Sequence, residues 1–229
     1  MDFPCGQWEP GRHFKVAKTL YLIRHGQSQA NAEGRVQGWL DSPLSPLGMA
    51  QARQVAQRLA AEGVEFFAVY SSPLERAAET ARAITDTLGC PLYFNDGLRE
   101  INTGPLSGLT GEEIAARYPE RHRAYLQNQP LPPIPGVETE AEFLRRVAAA
   151  LDTILAHLPD GQTAGVVTHG GTLNACMRHW LRLNNHGRRS FRFGNASISV
   201  VRVLASHVEI NRLNDTCHLH ILEEVSAHA

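Results

Sequence analysis

The sequence predicts a three-layer α/β sandwich, with a mainly parallel central sheet flanked by helices on both faces. Three observations lead there. Short apolar runs of strand length alternate with longer stretches patterned at helical spacing. Two of the runs, Thr19–Ile23 and Ala164–Val167, read as strands buried on both faces, as parallel strands are. Each ends in the same way, on a polar or charged residue, a histidine and a glycine: Arg24-His25-Gly26 and Thr168-His169-Gly170.

In order, the first strand gives way to a polar, glycine-punctuated stretch from Ser28 to Asp41, expected to be mostly loop with a helical turn at most. Ser45 then caps a helix with Pro46 in its first position, running to about Ala61. Met49, Ala52, Val55, Ala56 and Leu59 mark its inner face, and Glu62-Gly63 ends it. A strand is expected over Phe66–Tyr70. Ser72-Pro73-Leu74-Glu75 then reads as a capping box for a helix that carries Arg76 in its first turn and runs to about Leu88. Pro91–Phe94 reads as a short edge strand, and Gly97–Gly104 as a loop able to bring Glu100 towards a site. Thr110 and Glu113 cap a short helix ending near Tyr118-Pro119. Residues 120–137, with four prolines between Pro130 and Pro135, are expected to be irregular. Together, 111–140 could roof a site.

Thr139 and Glu142 cap the best helix in the chain, with Leu144, Val147, Ala148, Leu151, Ile154, Leu155 and Leu158 as its apolar stripe. Asp160-Gly161 turns into the second strand-histidine-glycine piece. A helix to about Leu183 follows, then two strands, Asn195–Leu204 and His207–Leu213, expected to be antiparallel and near a sheet edge. Residues 1–17 read as a loose arm and 18–229 as one domain.

Bulk properties exclude several function classes. Lys and Arg number 22 against 23 Asp and Glu, a net charge of −1, so nothing favours nucleic acid or a membrane surface. No apolar run approaches a membrane span, and the arm lacks the apolar centre of a signal peptide; the cytoplasm is the default expectation. Cys5, Cys90, Cys176 and Cys217 are too scattered for a zinc site or disulfide framework, and no cofactor motif is present; catalysis without metal or cofactor is expected. Oligomeric state stays open, a homo-oligomer included.

The chemistry sits at strand ends, where open α/β sheets bind their ligands. If the two strand-histidine-glycine pieces are parallel neighbours, His25 and His169 emerge side by side. With Arg24 they would suit an anion, most simply a phosphate. Arg76, at the start of a helix just past a strand, adds a second cation where helix dipoles already attract anions. Gly26 is expected to let a ligand approach the backbone closely. The other histidines read as surface or satisfied core positions, His122 being the strongest exception because it lies in the roof.

The residues together resemble the histidine phosphatase superfamily, the phosphoglycerate-mutase-like proteins, from about Lys18 to Leu219. The match includes Arg24-His25-Gly26, Asn31, Gly34-Arg35-x-Gln37-Gly38, Leu44-Ser45-x-x-Gly48, Ser71-Ser72-Pro73-Leu74-x-Arg76-Ala77-x-x-Thr80-Ala81, Leu98-Arg99-Glu100-Ile101 with Gly104, and Thr168-His169-Gly170-Gly171. Asn195-Ala196-Ser197-Ile198 and Leu213-Asn214-Asp215-Thr216-x-His218-Leu219 are similar to phosphatase members. The resemblance implies that His25 attacks phosphorus and carries the phosphoryl group covalently, which needs an imidazole neutral at the attacking nitrogen. Arg24, Arg76 and His169 would favour that neutral form and hold the phosphate oxygens. Glu100 would protonate the leaving oxygen and then activate water. A phosphate dianion beside it would keep it protonated, so activity is expected to fall at alkaline pH. Asn31, Gln37, Gly38 and Gly170 would complete the phosphate contacts.

Phosphatase is the expected reaction on a small phosphorylated metabolite, with phosphoglycerate mutase as the alternative and a non-catalytic phospho-ligand binder as a minor one. Mutases carry a basic and aromatic grip for a carboxylate soon after the acid; here Ile101-Asn102-Thr103 follows, and 120–137 contains no lysine. Gly38-Trp39-Leu40-Asp41 and Leu44-Ser45 are nevertheless similar to the mutases. Gln27 stands where an acid is frequent, and Leu106-Ser107 replaces an aromatic-acid pair common in phosphatases.

Overall fold

A computed structural model describes residues 17–127, 129–183 and 190–219. Most of the N-terminal arm, Cys5, His13, His186, His220 and His228 lie outside the described residues.

Among the described residues six strands form one sheet: β1 (Lys18–Arg24), β2 (Ala68–Ser71), β3 (Leu92–Phe94), β4 (Thr163–Thr168), β5 (Ile198–Val203) and β6 (Val208–Asp215), in the order β3-β2-β4-β1-β5-β6. The first four run parallel; β5 is antiparallel to β1, and β6 to β5. A single helical turn, α1 (Gln29–Ala32), follows β1. In β1 successive side chains go to opposite faces, as the pleat requires. Leu20 and Leu22 enter one core, with Ile154 of α6 (Glu140–His157), Leu158 just past its end, and Leu173 and Met177 of α7 (Gly170–Leu181). Ile23 enters the other, with Val55 and Leu59 of α2 (Pro46–Ala61) and Ala77, Ala81 and Ile84 of α3 (Glu75–Leu88). The three layers expected from the sequence are thus present.

Several local expectations are revised. The second strand begins at Ala68, two residues after Phe66, which packs instead as a buried ring against Tyr21. Met49 faces solvent, because α2 buries a narrower stripe than its apolar content suggests. In α6 the buried face runs through Phe143, Val147, Ala150, Leu151 and Ile154, a slight rotation from the expected stripe. Residues 119–126 are helical, not irregular: α5 (Pro119–Leu126) follows α4 (Gly111–Arg117) directly, with Pro119 in the first-turn position that tolerates a missing N–H. The proline-rich run after it has no regular structure.

The capping box at Ser72 does not form. The residue at the cap position of α3 is Leu74, with no side-chain cap bond. The helix is capped from a distance: Asp41 Oδ1 accepts the Glu75 N–H at 2.7 Å. Ser72 is thereby free for another partner.

The switch point of the sheet lies between β4 and β1. The chain leaves β1 through α2 on one face and leaves β4 through α7 on the other, which opens a crevice beyond their carboxyl ends.

Candidate active site

The parallel register places Arg24 beside Thr168, so the residues that follow, His25 and His169, leave the sheet together. Their ring centroids are 5.1 Å apart. His25 N–H donates to the Thr168 carbonyl at 3.0 Å, which ties the two strand ends at the point of exit.

His25 is buried, and its Nδ1 lies 2.6 Å from the Gly26 carbonyl. A carbonyl only accepts, so Nδ1 carries the hydrogen and Nε2 keeps its lone pair. Burial, reinforced by the Arg76 and Arg24 guanidiniums, holds the His25 pKa well below the ordinary 6.5. The imidazole is therefore a neutral base with its nucleophilic nitrogen defined. The same causes act on His169: burial first, then Arg76, His25, Arg24 and Arg146.

His169 Nε2 is 2.8 Å from Ser72 Oγ, which also accepts the Leu74 N–H at 3.3 Å. The Ser72 hydroxyl keeps its hydrogen to give and can donate to Nε2; in that tautomer the imidazole hydrogen sits on Nδ1. That atom is buried with no hydrogen-bond partner among the described residues. This is the use of Ser72 that the capping reading missed.

Arg76 is almost fully buried. One terminal nitrogen donates to the Leu40 carbonyl and the other to the Gly38 carbonyl, both at 2.9 Å, while Nε has no partner among the described residues. Burial lowers its pKa to about 10, opposed by the nearby Glu100 and Asp41 carboxylates, so it remains a cation at neutral pH. A buried cation with an unused donor is costly unless an anion meets it. Arg24 is anchored by Nη1 on the Phe193 carbonyl at 2.6 Å, and its guanidinium lies against Gly170 at the start of α7.

The surrounding amides are pre-oriented. Ser28 Oγ donates to Gln37 Oε1 at 2.8 Å, and Asn31 Oδ1 accepts from Ser28 N and Asn195 Nδ2. With both oxygens committed, the NH2 groups of Gln37 and Asn31 are the ends left to donate to an anion. Gly38 contributes its carbonyl to Arg76. Two further residues hold the His25 turn. Asn195 Nδ2 donates to the His25 carbonyl at 3.2 Å, and Thr80 Oγ1 accepts the Gly26 N–H at 3.1 Å. Gly26 itself serves packing more than ligand approach: a Cβ there would sit 2.5 Å from the Gly48 carbonyl oxygen of α2.

Glu100 lies on the loop between β3 and α4. Its Oε1 accepts the Ile101 N–H at 2.9 Å and its Oε2 the Gly171 N–H at 2.8 Å. Any Cβ at position 171 would fall inside that carboxylate, so Gly171 is what lets Glu100 reach the first turn of α7 beside His169. The Trp39 indole N–H donates to the Glu100 carbonyl at 2.7 Å. The segment 111–140 is tied at both ends close to this site: Val36 pairs with Gly108 and Leu109, and Glu138 N–H donates to the Asn102 carbonyl.

The histidine phosphatase superfamily (branch 1) model matches residues 20–216. The chain belongs to the histidine phosphatase superfamily. It is 34% identical over 203 residues to "Putative phosphoserine phosphatase 2" of Hydrogenobacter thermophilus, covering 88% of this chain and 97% of that one. It is 35% identical over 205 residues to "Probable phosphoglycerate mutase GpmB" of Yersinia pestis, covering 87% and 94%. Among solved structures, the mycobacterial glucosyl-3-phosphoglycerate phosphatase in complex with VO3 superimposes with a TM-score of 0.77 at 28% identity, covering 86% of this chain and 99% of that one. In this superfamily member the cradle just described is made of strand ends and first helical turns. No helix among the described residues is long and apolar enough to cross a membrane.

Proposed function

We propose that this chain is a phosphatase that hydrolyses small phosphomonoesters through a phosphoryl group carried on Nε2 of His25, without a metal ion. The observation behind this reading is the pair of buried nitrogens with no partner among the described residues, Arg76 Nε and His169 Nδ1, beside an imidazole whose Nδ1 is already bonded. Three oxygens of a phosphoryl group would satisfy those nitrogens together with Arg24, Asn31 and Gln37. The cations compensate the charge at transfer, a task that other phosphoryl-transfer enzymes give in part to magnesium.

In the first step Nε2 forms a bond to phosphorus as the P–O ester bond breaks, and Glu100 gives its proton to the leaving oxygen. In the second, Glu100 takes a proton from water as the water oxygen bonds to phosphorus and the N–P bond breaks. Inorganic phosphate leaves and His25 is restored neutral.

The GpmB relative keeps a mutase reading alive. Against it, the residues just past Glu100 present no cation: Asn102 Oδ1 accepts the Gly104 N–H, and Thr103 pairs with Ser107 through their hydroxyls. The test is phosphate release from a panel of phosphomonoesters with a chelator present, including 3-phosphoglycerate with 2-phosphoglycerate read in parallel. Chelator-insensitive release that vanishes in His25→Ala is expected. Isomer formation without phosphate release would make the chain a mutase.

A further inference from the structure

The loop that carries Glu100 has little structure of its own, only single 3-10 turns at Asp96–Leu98 and Gly104–Leu106. Its backbone groups need partners from elsewhere. The Thr168 and Thr172 hydroxyls donate to the carbonyls of Leu98 and Arg99 at 2.6 and 2.9 Å, but one side chain serves more of these groups than any other. Arg146, in the middle of α6, donates from Nη1 to the carbonyls of Gly97 and Arg99, both at 3.0 Å, and from Nη2 to the Glu100 carbonyl at 3.2 Å. The same guanidinium makes a two-pronged pair with Glu138, Nε to Oε1 at 2.9 Å and Nη2 to Oε2 at 2.8 Å. Glu138 Oε2 in turn accepts the Asn102 N–H at 2.9 Å. Carbonyls before the acid and an amide after it are thus held by one ion pair.

The pair is built as an anchor, not as a surface contact. Glu138 is 12% exposed and Arg146 21%. The guanidinium also lies over Phe143 and Trp39, at 5.2 and 5.9 Å from the ring centroids, and Trp39 makes the second bond to the Glu100 carbonyl. A planar fork that serves three carbonyls and a carboxylate at once cannot be copied by an ammonium.

We propose that the Arg146–Glu138 pair is the positioning device for the acid, holding the backbone on both sides of Glu100 so that its carboxyl faces the phosphate cradle. This rests on the reading of Glu100 as proton donor. Arg146 touches no reacting atom; it acts through Glu100. The consequence is a selective defect. An alkoxide leaving group needs the proton of Glu100, whereas 4-nitrophenolate leaves without much help. Loosening the loop slows the first class and spares the second.

The experiment measures phosphoenzyme formation in a single turnover, with the best alkyl phosphomonoester of the panel and with 4-nitrophenyl phosphate. Arg146→Lys is expected to slow the alkyl ester about 100-fold, the scale of a displaced general acid. It should slow the nitrophenyl ester less than about 3-fold. In the Glu100→Gln background the same change should add almost nothing, because the two act as one unit. Glu138→Gln serves the same test should Arg146→Lys not fold. Arg178→Lys, which touches the comparable α6–α7 ion pair with Glu140, should leave both esters unchanged. Equal slowing of both esters, or full additivity with Glu100→Gln, would overturn the proposal. Absence of any phosphoenzyme in the unaltered protein would instead sink the reading of His25 beneath it.

Discussion

Arg24, His25, Arg76 and His169 all leave strand ends or the first turn of a long helix, whereas Glu100 hangs on a loop pinned from outside. His25, Arg76 and His169 are buried and Arg24 is half-buried, and their side chains are held by the carbonyls of Gly26, Gly38, Leu40 and Phe193 and by the Ser72 hydroxyl. The acid side is partly exposed and continues into α4, the proline-rich run and α5, where Tyr125 and Leu126 face solvent. The difference separates two tasks. Holding a phosphoryl group demands fixed charges at fixed distances, and strand ends supply them. Admitting one leaving group over another demands a surface that can vary, and loops supply that.

The largest effect expected from this division is at the nucleophile. His25→Ala should reduce turnover by more than about 1,000-fold on every ester, because no other group in the cradle can carry the phosphoryl group. Equal residual turnover on some ester would break the idea of one common cradle. Arg76→Lys should come next, losing on the order of 100-fold in turnover on all esters alike, since a point charge cannot hold two carbonyls and an anion together. Steady-state kinetics across the panel would show whether the loss is uniform.

Protonation provides a third test. Both cradle imidazoles titrate well below 6.5 when folded and near 6.5 when unfolded. As pH falls through 6.5 the unfolded chain takes up protons that the folded one refuses, so stability should drop below that pH and stop dropping once the folded imidazoles are charged. His169→Asn should flatten that slope in urea melts between pH 7 and 5. An unchanged slope would mean that the cradle is not the source.

Smaller effects separate Ser72 from Asp41. Asp41→Ala should cost about 1 kcal/mol of stability through the lost cap of α3. Ser72→Ala should leave α3 intact and lower turnover about 10-fold by freeing His169. Chemical denaturation and kinetics on the two variants would reverse these assignments if Ser72 were the cap after all. The smallest effect is expected in α5: Tyr125→Ala should change stability by less than about 0.5 kcal/mol and, if this segment roofs the site, alter KM among esters without altering inhibition by inorganic phosphate.

Arg24, His25, Arg76 and His169 were legible in the sequence because each stands beside a strong local signal, an apolar strand ending in histidine and glycine, or a proline-marked helix start, whereas Asn31, Gln37 and Gly38 were indicated only by the family resemblance. Even the pairing of His25 with His169 followed from the two strands being parallel neighbours. Ser72 was misread because its Ser-x-x-Glu spacing is the ordinary signature of a cap. The true cap, Asp41, is far away in the chain, and no local pattern reveals a tertiary bond. The helix at Pro119–Leu126 was missed for a related reason: it is short and polar, and its only buried residue is Ala124, so it carries no apolar period. The Arg146 anchor is likewise invisible in sequence, where Arg146 is one more polar position on the solvent side of a well-formed helix.

The central claim is that His25 carries the phosphoryl group while the cradle holds its oxygens. The direct measurement is to quench turnover of a phosphate-labelled ester under alkaline conditions, which preserve phosphohistidine, and to locate the label by peptide mass spectrometry. Label on His25 in the unaltered protein, and none in His25→Ala, is the predicted result. Label on another residue, or steady release of phosphate with His25 never modified, would contradict it.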